Sequence, residues 1–103
     1  MATQSAGVVV LSSDDAVDIF DTDVDGVRMK AAFIHNLAAS AGRVDVRYVV
    51  SGGPQPLKAD EWVPCAADWE IAFESRQGFI TRITARRESA KAVTLHFGPC
   101  ISP

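Results

Sequence analysis

Val17-Asp18-Ile19-Phe20-Asp21-Thr22-Asp23-Val24-Asp25-Gly26-Val27-Arg28-Met29-Lys30-Ala31-Ala32-Phe33-Ile34-His35 is the stretch that decides the fold. At its centre stands Asp25-Gly26. A two-residue Asp-Gly loop is a strong hairpin signal, because both central residues of a type I′ turn take φ > 0. Folding the chain there sets Val24 opposite Val27, Asp23 opposite Arg28, Thr22 opposite Met29 and Asp21 opposite Lys30. Two opposite-charge pairs result, each contributing roughly 0.2–1 kcal/mol. Beyond the turn, Val27, Met29, Ala31 and Phe33 alternate with Arg28 and Lys30, the period of a half-buried strand. The expectation is that residues 17–35 fold back on themselves as a hairpin. Over 27–41, Val27, Ala31, Ile34, Leu37, Ala38 and Ala41 also recur at helical spacing, with Gly42 placed to end a helix. The strand is carried forward because turn chemistry and charge pairing agree with each other.

Working outward, the rest of the chain reads the same way. Val8–Leu11 is a short apolar strand and Ser12-Ser13-Asp14-Asp15 a turn. Asn36–Gly42 is a small-residue connection. Val44, Val46, Tyr48 and Val50 alternate with Asp45, Arg47 and Val49. Ser51-Gly52-Gly53-Pro54-Gln55-Pro56 is a loop, and Leu57–Pro64 an extended edge segment, where Pro64 is tolerated. Trp69, Ile71 and Phe73 form one face of a further strand, and Gln77-Gly78 turns the chain. Phe79–Ala85 is rich in β-branched residues. Arg86–Lys91 is a polar turn, and Ala92–Phe97 a last strand stopped by Gly98-Pro99. About seven to eight short strands with turns at roughly 8–12-residue spacing predict an all-β, single-domain antiparallel β-sandwich over 1–103, jelly-roll- or Ig-like. Spacing alone leaves the strand order open.

Composition narrows the function classes. The 103 residues carry ten Lys+Arg against thirteen Asp+Glu, a formal net charge of −3. Nucleic acid and anionic membrane surfaces both call for a basic face, so neither is an expected partner. No apolar run approaches the ~20 residues of a bilayer span. Met1–Ala6 lacks a basic start, and Val8-Val9-Val10-Leu11 is too short for the apolar core of a secretory signal.

Asp21-Thr22-Asp23-Val24-Asp25-Gly26 spells the opening of an EF-hand calcium loop. Ala32 occupies its twelfth position, where a bidentate carboxylate is required, so no metal is assigned to Asp21, Asp23 and Asp25. Cys65 and Cys100 are not spaced as a metal pair or a redox motif, and read as reduced apolar residues. Whether they pair depends on a Cα separation within about 7 Å. His35 and His96 sit among apolar neighbours, and a Cys65–His96 or Cys100–His96 dyad has no activating signature around it. Gly52-Gly53 and Gly98 make no phosphate loop. Catalytic residues and cofactors are therefore expected to be none. Arg82, Arg86 and Arg87 form a basic cluster, with Arg82 and Arg86 on one strand face and Glu74 and Glu88 nearby. That cluster reads as a solvated, charge-balanced face or a contact for an acidic partner surface. Trp62 and Trp69 are core candidates, with Trp62 the better placed as an exposed interface anchor.

The order Phe33-Ile34-His35-Asn36-Leu37, then Val44-Asp45-Val46-Arg47, Trp62, Trp69–Phe73, Gly78-Phe79-Ile80-Thr81-Arg82-Ile83 and Val93-Thr94-Leu95-His96-Phe97-Gly98 covers most of the chain after Val27. It resembles small β-sandwich structural proteins of tailed bacteriophages, such as capsid decoration (cement) proteins and fibre modules. The resemblance implies a non-enzymatic, homo-oligomeric virion protein, assembled in the host cytoplasm and bound to capsid or other virion proteins. It transfers no individual residue. A receptor- or carbohydrate-binding fibre or tail module, using Trp62 and a calcium ion at Asp21, Asp23 and Asp25, is the alternative. A small enzyme would require a pocket joining His96 to a cysteine.

Overall fold

The computed structural model describes residues 7–26, 28–51, 61–75 and 78–99. Eight strands lie among them: β1 (Gly7–Leu11), β2 (Val17–Asp21), β3 (Ala31–Asn36), β4 (Val44–Ser51), β5 (Val63–Cys65), β6 (Glu70–Glu74), β7 (Phe79–Arg87) and β8 (Val93–Pro99). One helical turn, α1 (Thr22–Asp25), separates β2 from β3. β1 pairs with β8, β2 with β7, β3 with β6 and β4 with β5, all antiparallel. β3 also pairs with β8, and β4 with β7. The sheets are ordered β1-β8-β3-β6 and β2-β7-β4-β5. First strand on last, second on seventh, and so inward to β4–β5 is a long hairpin wrapped over two sheets, which is a jelly roll. The expected antiparallel sandwich is the observed fold.

The hairpin expected at residues 17–35 does not form. β2 and β3 lie in different sheets, so the segment crosses the sandwich instead of pairing with itself. The acidic run is put to another use. Asp21 is extended and its Oδ1 accepts the Asp23 N–H (2.9 Å), capping α1, while Asp25 Oδ2 accepts the Asp21 N–H (3.0 Å). Gly26, at φ 74° and ψ 14°, ends the turn by donating to the Thr22 carbonyl (3.0 Å). A left-handed glycine after an aspartate thus serves a helical C-cap here, and Asp25 itself keeps φ < 0. Asp21 faces Arg82 across β2–β7 rather than Lys30, and Arg28 lies over the Phe79 ring (4.6 Å) rather than beside Asp23. Met29 bridges to Ile80, not Thr22. Val27 lies outside the described residues. The alternation also breaks: Met29 is buried, but from Ala31 the inward residues are Ala32, Ile34 and Asn36, while Ala31 and Phe33 turn outward. Ala31–Asn36 is a strand, which settles the helical alternative for that stretch.

Elsewhere the boundaries move little. Arg86 and Arg87 belong to β7 rather than to a turn, and Gly98 and Pro99 pair with Phe33 and Ala32 inside β8 rather than stopping it. The loop read at Gly52–Pro56, Leu57–Asp60, Gln77 and Cys100 lie outside the described residues. The core is filled by Leu11, Phe20, Ile34, Val44, Val46, Ile80, Ile83, Val93 and Leu95, contributed by both sheets. Tyr48 stacks on Phe73 across it (4.3 Å, 7°). Two bulges set which residues face out. Ile19 is the extra residue in β2 and Thr81 in β7. Each shift flips the side-chain parity, so Phe20, Ile80 and Ile83 all point inward while Asp18, Arg82, Thr84 and Arg86 share the outer face.

Candidate interaction surfaces

A sandwich has four edge strands, each with unpaired backbone groups that invite pairing with another chain. Three are blunted here. β6 carries Glu70 and Glu74, β2 carries Asp18, Asp21 and a bulge, and β5 has three residues with Pro64 in the middle. β1 is Gly7-Val8-Val9-Val10-Leu11, without a charge, a proline or a register shift. Its outward side chains, Val8 and Val10, are 63% and 61% exposed.

The outer face of the first sheet continues from β1. Register places Val8, His96, His35 and Glu70 in one row across β1, β8, β3 and β6. His35 and His96, 61 positions apart in the chain, are thus direct cross-strand neighbours. His96 meets the Phe33 ring edge-on (5.2 Å), and His35 Nε2 lies 3.5 Å from Asp68 Oδ1. Trp69, 60% exposed, follows Asp68. It is therefore Trp69, not Trp62, that stands out as an exposed aromatic, and neither tryptophan belongs to the buried core.

Asn36 positions this end of the molecule. Its side chain is fully buried, and Nδ2 donates to the Gly42 carbonyl (3.0 Å) and the Cys65 carbonyl (2.9 Å). Its backbone N–H donates to the Trp69 carbonyl (2.9 Å), and its carbonyl accepts from Asp68 (2.7 Å). One residue of β3 therefore ties the first sheet to β5 of the second and holds the turn that presents Asp68 and Trp69. Its Oδ1 is buried without a partner among the described residues. The small residues of Asn36–Gly42 predict a connection starting at Asn36, but Asn36 is the last residue of β3.

Cys65 is a free, buried thiol facing the Trp69 carbonyl (3.3 Å). Burial pushes its pKa up; the Asn36 backbone N–H lowers it and the Glu70 charge raises it again. Such a thiol is a poor nucleophile at neutral pH. His96 lies on the outer side of β8, between inward Leu95 and Phe97, so Cys65 and His96 are not brought together. The Asp21 and Asp25 carboxylates of the EF-like run accept backbone N–H groups of the α1 turn, and among the described residues no group of three or more His, Cys, Asp or Glu is arranged to hold a metal ion.

On the outer face of the second sheet, Arg82 and Arg86 do share a side. Their carboxylates are Asp18 (3.7 Å) and Asp45 (3.7 Å), not Glu74 and Glu88. Arg87 pairs with Asp14 (3.0 Å). Trp62 lies against two guanidiniums, Arg86 at 4.0 Å and Arg47 at 4.5 Å from its ring centre. Compared with known protein families, curated proteins and solved structures, the chain matches none.

Proposed function

We propose that this chain is a non-enzymatic structural subunit that works by association: a jelly-roll building block of a virion, of the capsid-decorating kind, assembled from several copies. The observation that carries the reading is the edge of β1, which has no charge, proline or register shift and with which no described strand pairs on its outer side. Two antiparallel copies of β1 related by a two-fold axis at Val9 set Val8 against Val10 of the partner, with no like charges facing each other. A charged edge would repel its own copy; this one does not. Burying what remains exposed of each valine contributes roughly 1–2 kcal/mol, and each ladder hydrogen bond about 0.5–1.5 kcal/mol. Association itself costs about 4–15 kcal/mol. The contact is therefore weak between two free copies and strong in an array where several act together. That is the behaviour useful to a protein that stabilises only the assembled state.

Sedimentation velocity from micromolar to millimolar protein tests this. Wild type shows reversible, concentration-dependent association, and the Val8→Lys/Val10→Lys variant stays monomeric with unchanged circular dichroism. A wild type that stays monomeric throughout, or a variant that associates equally, rejects the reading. Trp69 favours one alternative, a carbohydrate- or receptor-binding fibre module. The exposed indole follows Asp68 in the chain, and Asp68 Oδ1 lies 3.5 Å from His35 Nε2, so a stacking surface stands next to a polar pair. Glycan-array binding lost in Trp69→Ala would support that alternative.

A further inference from the structure

We propose that the outer face of the second sheet around Trp62 is a docking site for a carboxylate-rich segment of a partner protein. Three strand regions build it. Arg47 comes from β4, Arg86 from β7, and Trp62 immediately precedes β5. Asp45 and Arg86 are opposed in the β4–β7 register. Asp45 takes Arg43 on Oδ1 (3.2 Å) and Arg86 on Oδ2 (3.7 Å). Only 12% of the Asp45 side chain reaches solvent, against 46% for Arg43 and 42% for Arg86. The negative charge is thus the floor of the site and the guanidiniums are its rim.

Arg47 meets no carboxylate among the described residues. Glu61, next to Trp62, is exposed and forms no ion pair with these arginines there. Among the described residues, three guanidiniums against Asp45 and Glu61 leave the patch positive on a chain whose formal net charge is −3. A guanidinium held over an indole keeps N–H groups available to a carboxylate; Arg86 turns its Nε to Asp45 and has its terminal N–H groups besides. Arg47 and Arg86 are therefore pre-organised donors, and little side-chain freedom is lost when a carboxylate bridges them. A polyanion such as nucleic acid is disfavoured, since the remainder of the chain is acidic and the patch is short. A local run of carboxylates on a protein surface fits it. The site lies on the other sheet from β1 and does not depend on association there.

Tryptophan emission reports on the site. The chain has two tryptophans, so a Trp69→Phe variant leaves Trp62 alone, and Trp69 is exposed enough to be replaced without loss of core. Titration with an octaglutamate peptide at low ionic strength is expected to change Trp62 emission saturably, and the change should weaken in high salt. Arg47→Glu should lower the affinity about tenfold or more with unchanged circular dichroism. Octalysine and inorganic phosphate should give no saturable change. The Trp62 indole N–H resonance, followed by NMR in the unaltered chain, gives the same reading without the background substitution. The proposal is overturned if octaglutamate gives no saturable response by either method, if Arg47→Glu binds equally well, or if phosphate binds as tightly as the peptide.

Discussion

Replacing Asn36 probes a buried polar side chain that ties the two sheets together. Asn36→Ala removes two hydrogen bonds, to the Gly42 and Cys65 carbonyls. Each is worth about 1 kcal/mol net, and each stranded acceptor costs about 1–3 kcal/mol more. Removing the unpartnered Oδ1 returns a similar amount once. The balance is a destabilisation of about 3–5 kcal/mol, a large part of a total of roughly 5–15 kcal/mol. Urea titration should show a lower midpoint with an unchanged slope. Asn36→Asp sharpens the test. It keeps the shape but, as a carboxylate, replaces the two Nδ2 donors with an acceptor oxygen facing the Gly42 and Cys65 carbonyls. Burial and those carbonyl oxygens raise its folded pKa above the ordinary ~3.9. The sign follows: the protonated form still donates one hydrogen bond, so its stability is fully present below the unfolded pKa and is lost as pH rises through the folded one. The aspartate variant should lie closest to wild type in acid and furthest from it at neutral pH. A constant gap between the two across that range, or an alanine variant within about 0.5 kcal/mol of wild type, refutes the role given to Asn36.

Other outcomes follow from local geometry. Gly26→Ala should cost about 1 kcal/mol by urea denaturation, entirely from its φ of 74°, since no atom lies within 4 Å of the added Cβ. Cys65 should resist thiol reagents until the chain unfolds, so that its modification rate tracks the unfolding equilibrium. Because burial raises its pKa, the folded state favours the protonated thiol, and the stability this contributes is lost as pH rises past the unfolded value of roughly 8.5. Thermal melts at increasing alkaline pH should show a smaller decline in Cys65→Ala than in wild type.

The fold class was legible because period-2 alternation is written residue by residue. Val44, Val46, Tyr48 and Val50 are apolar and buried, and the residues between them are not all apolar. The connectivity was not legible. Asp25-Gly26 carries the same left-handed glycine in a type I′ hairpin and at the end of a short capped helix. The difference is made by Asp21, whose side chain caps the turn, and by the competing partner for β2. β7 offers β2 a register that pairs Asp18 with Thr84 and Asp21 with Arg82, and that pairing lies far along the chain. Local charge pairing with Arg28 and Lys30 was a real alternative on paper, and long-range pairing with a central strand displaced it.

The surfaces follow the same logic at larger separation. Reading along one strand groups Arg82, Arg86 and Arg87, but in a sheet the neighbours that matter are across the ladder. The β4–β7 register sends Arg86 to Asp45 and Trp62, the bulge at Thr81 puts Arg82 on that same face, and Arg87 turns to Asp14. Likewise His35 and His96 become neighbours only because β8 lies between β1 and β3. An edge strand is the exception, because its liability is a property of its own residues. Val8, Val9 and Val10 announce an uncharged strand in the sequence itself, and topology adds one fact, that nothing described pairs with its outer side. Substitutions at Val8 and Val10 should therefore register in assembly, while those at Arg47 should register in recognition.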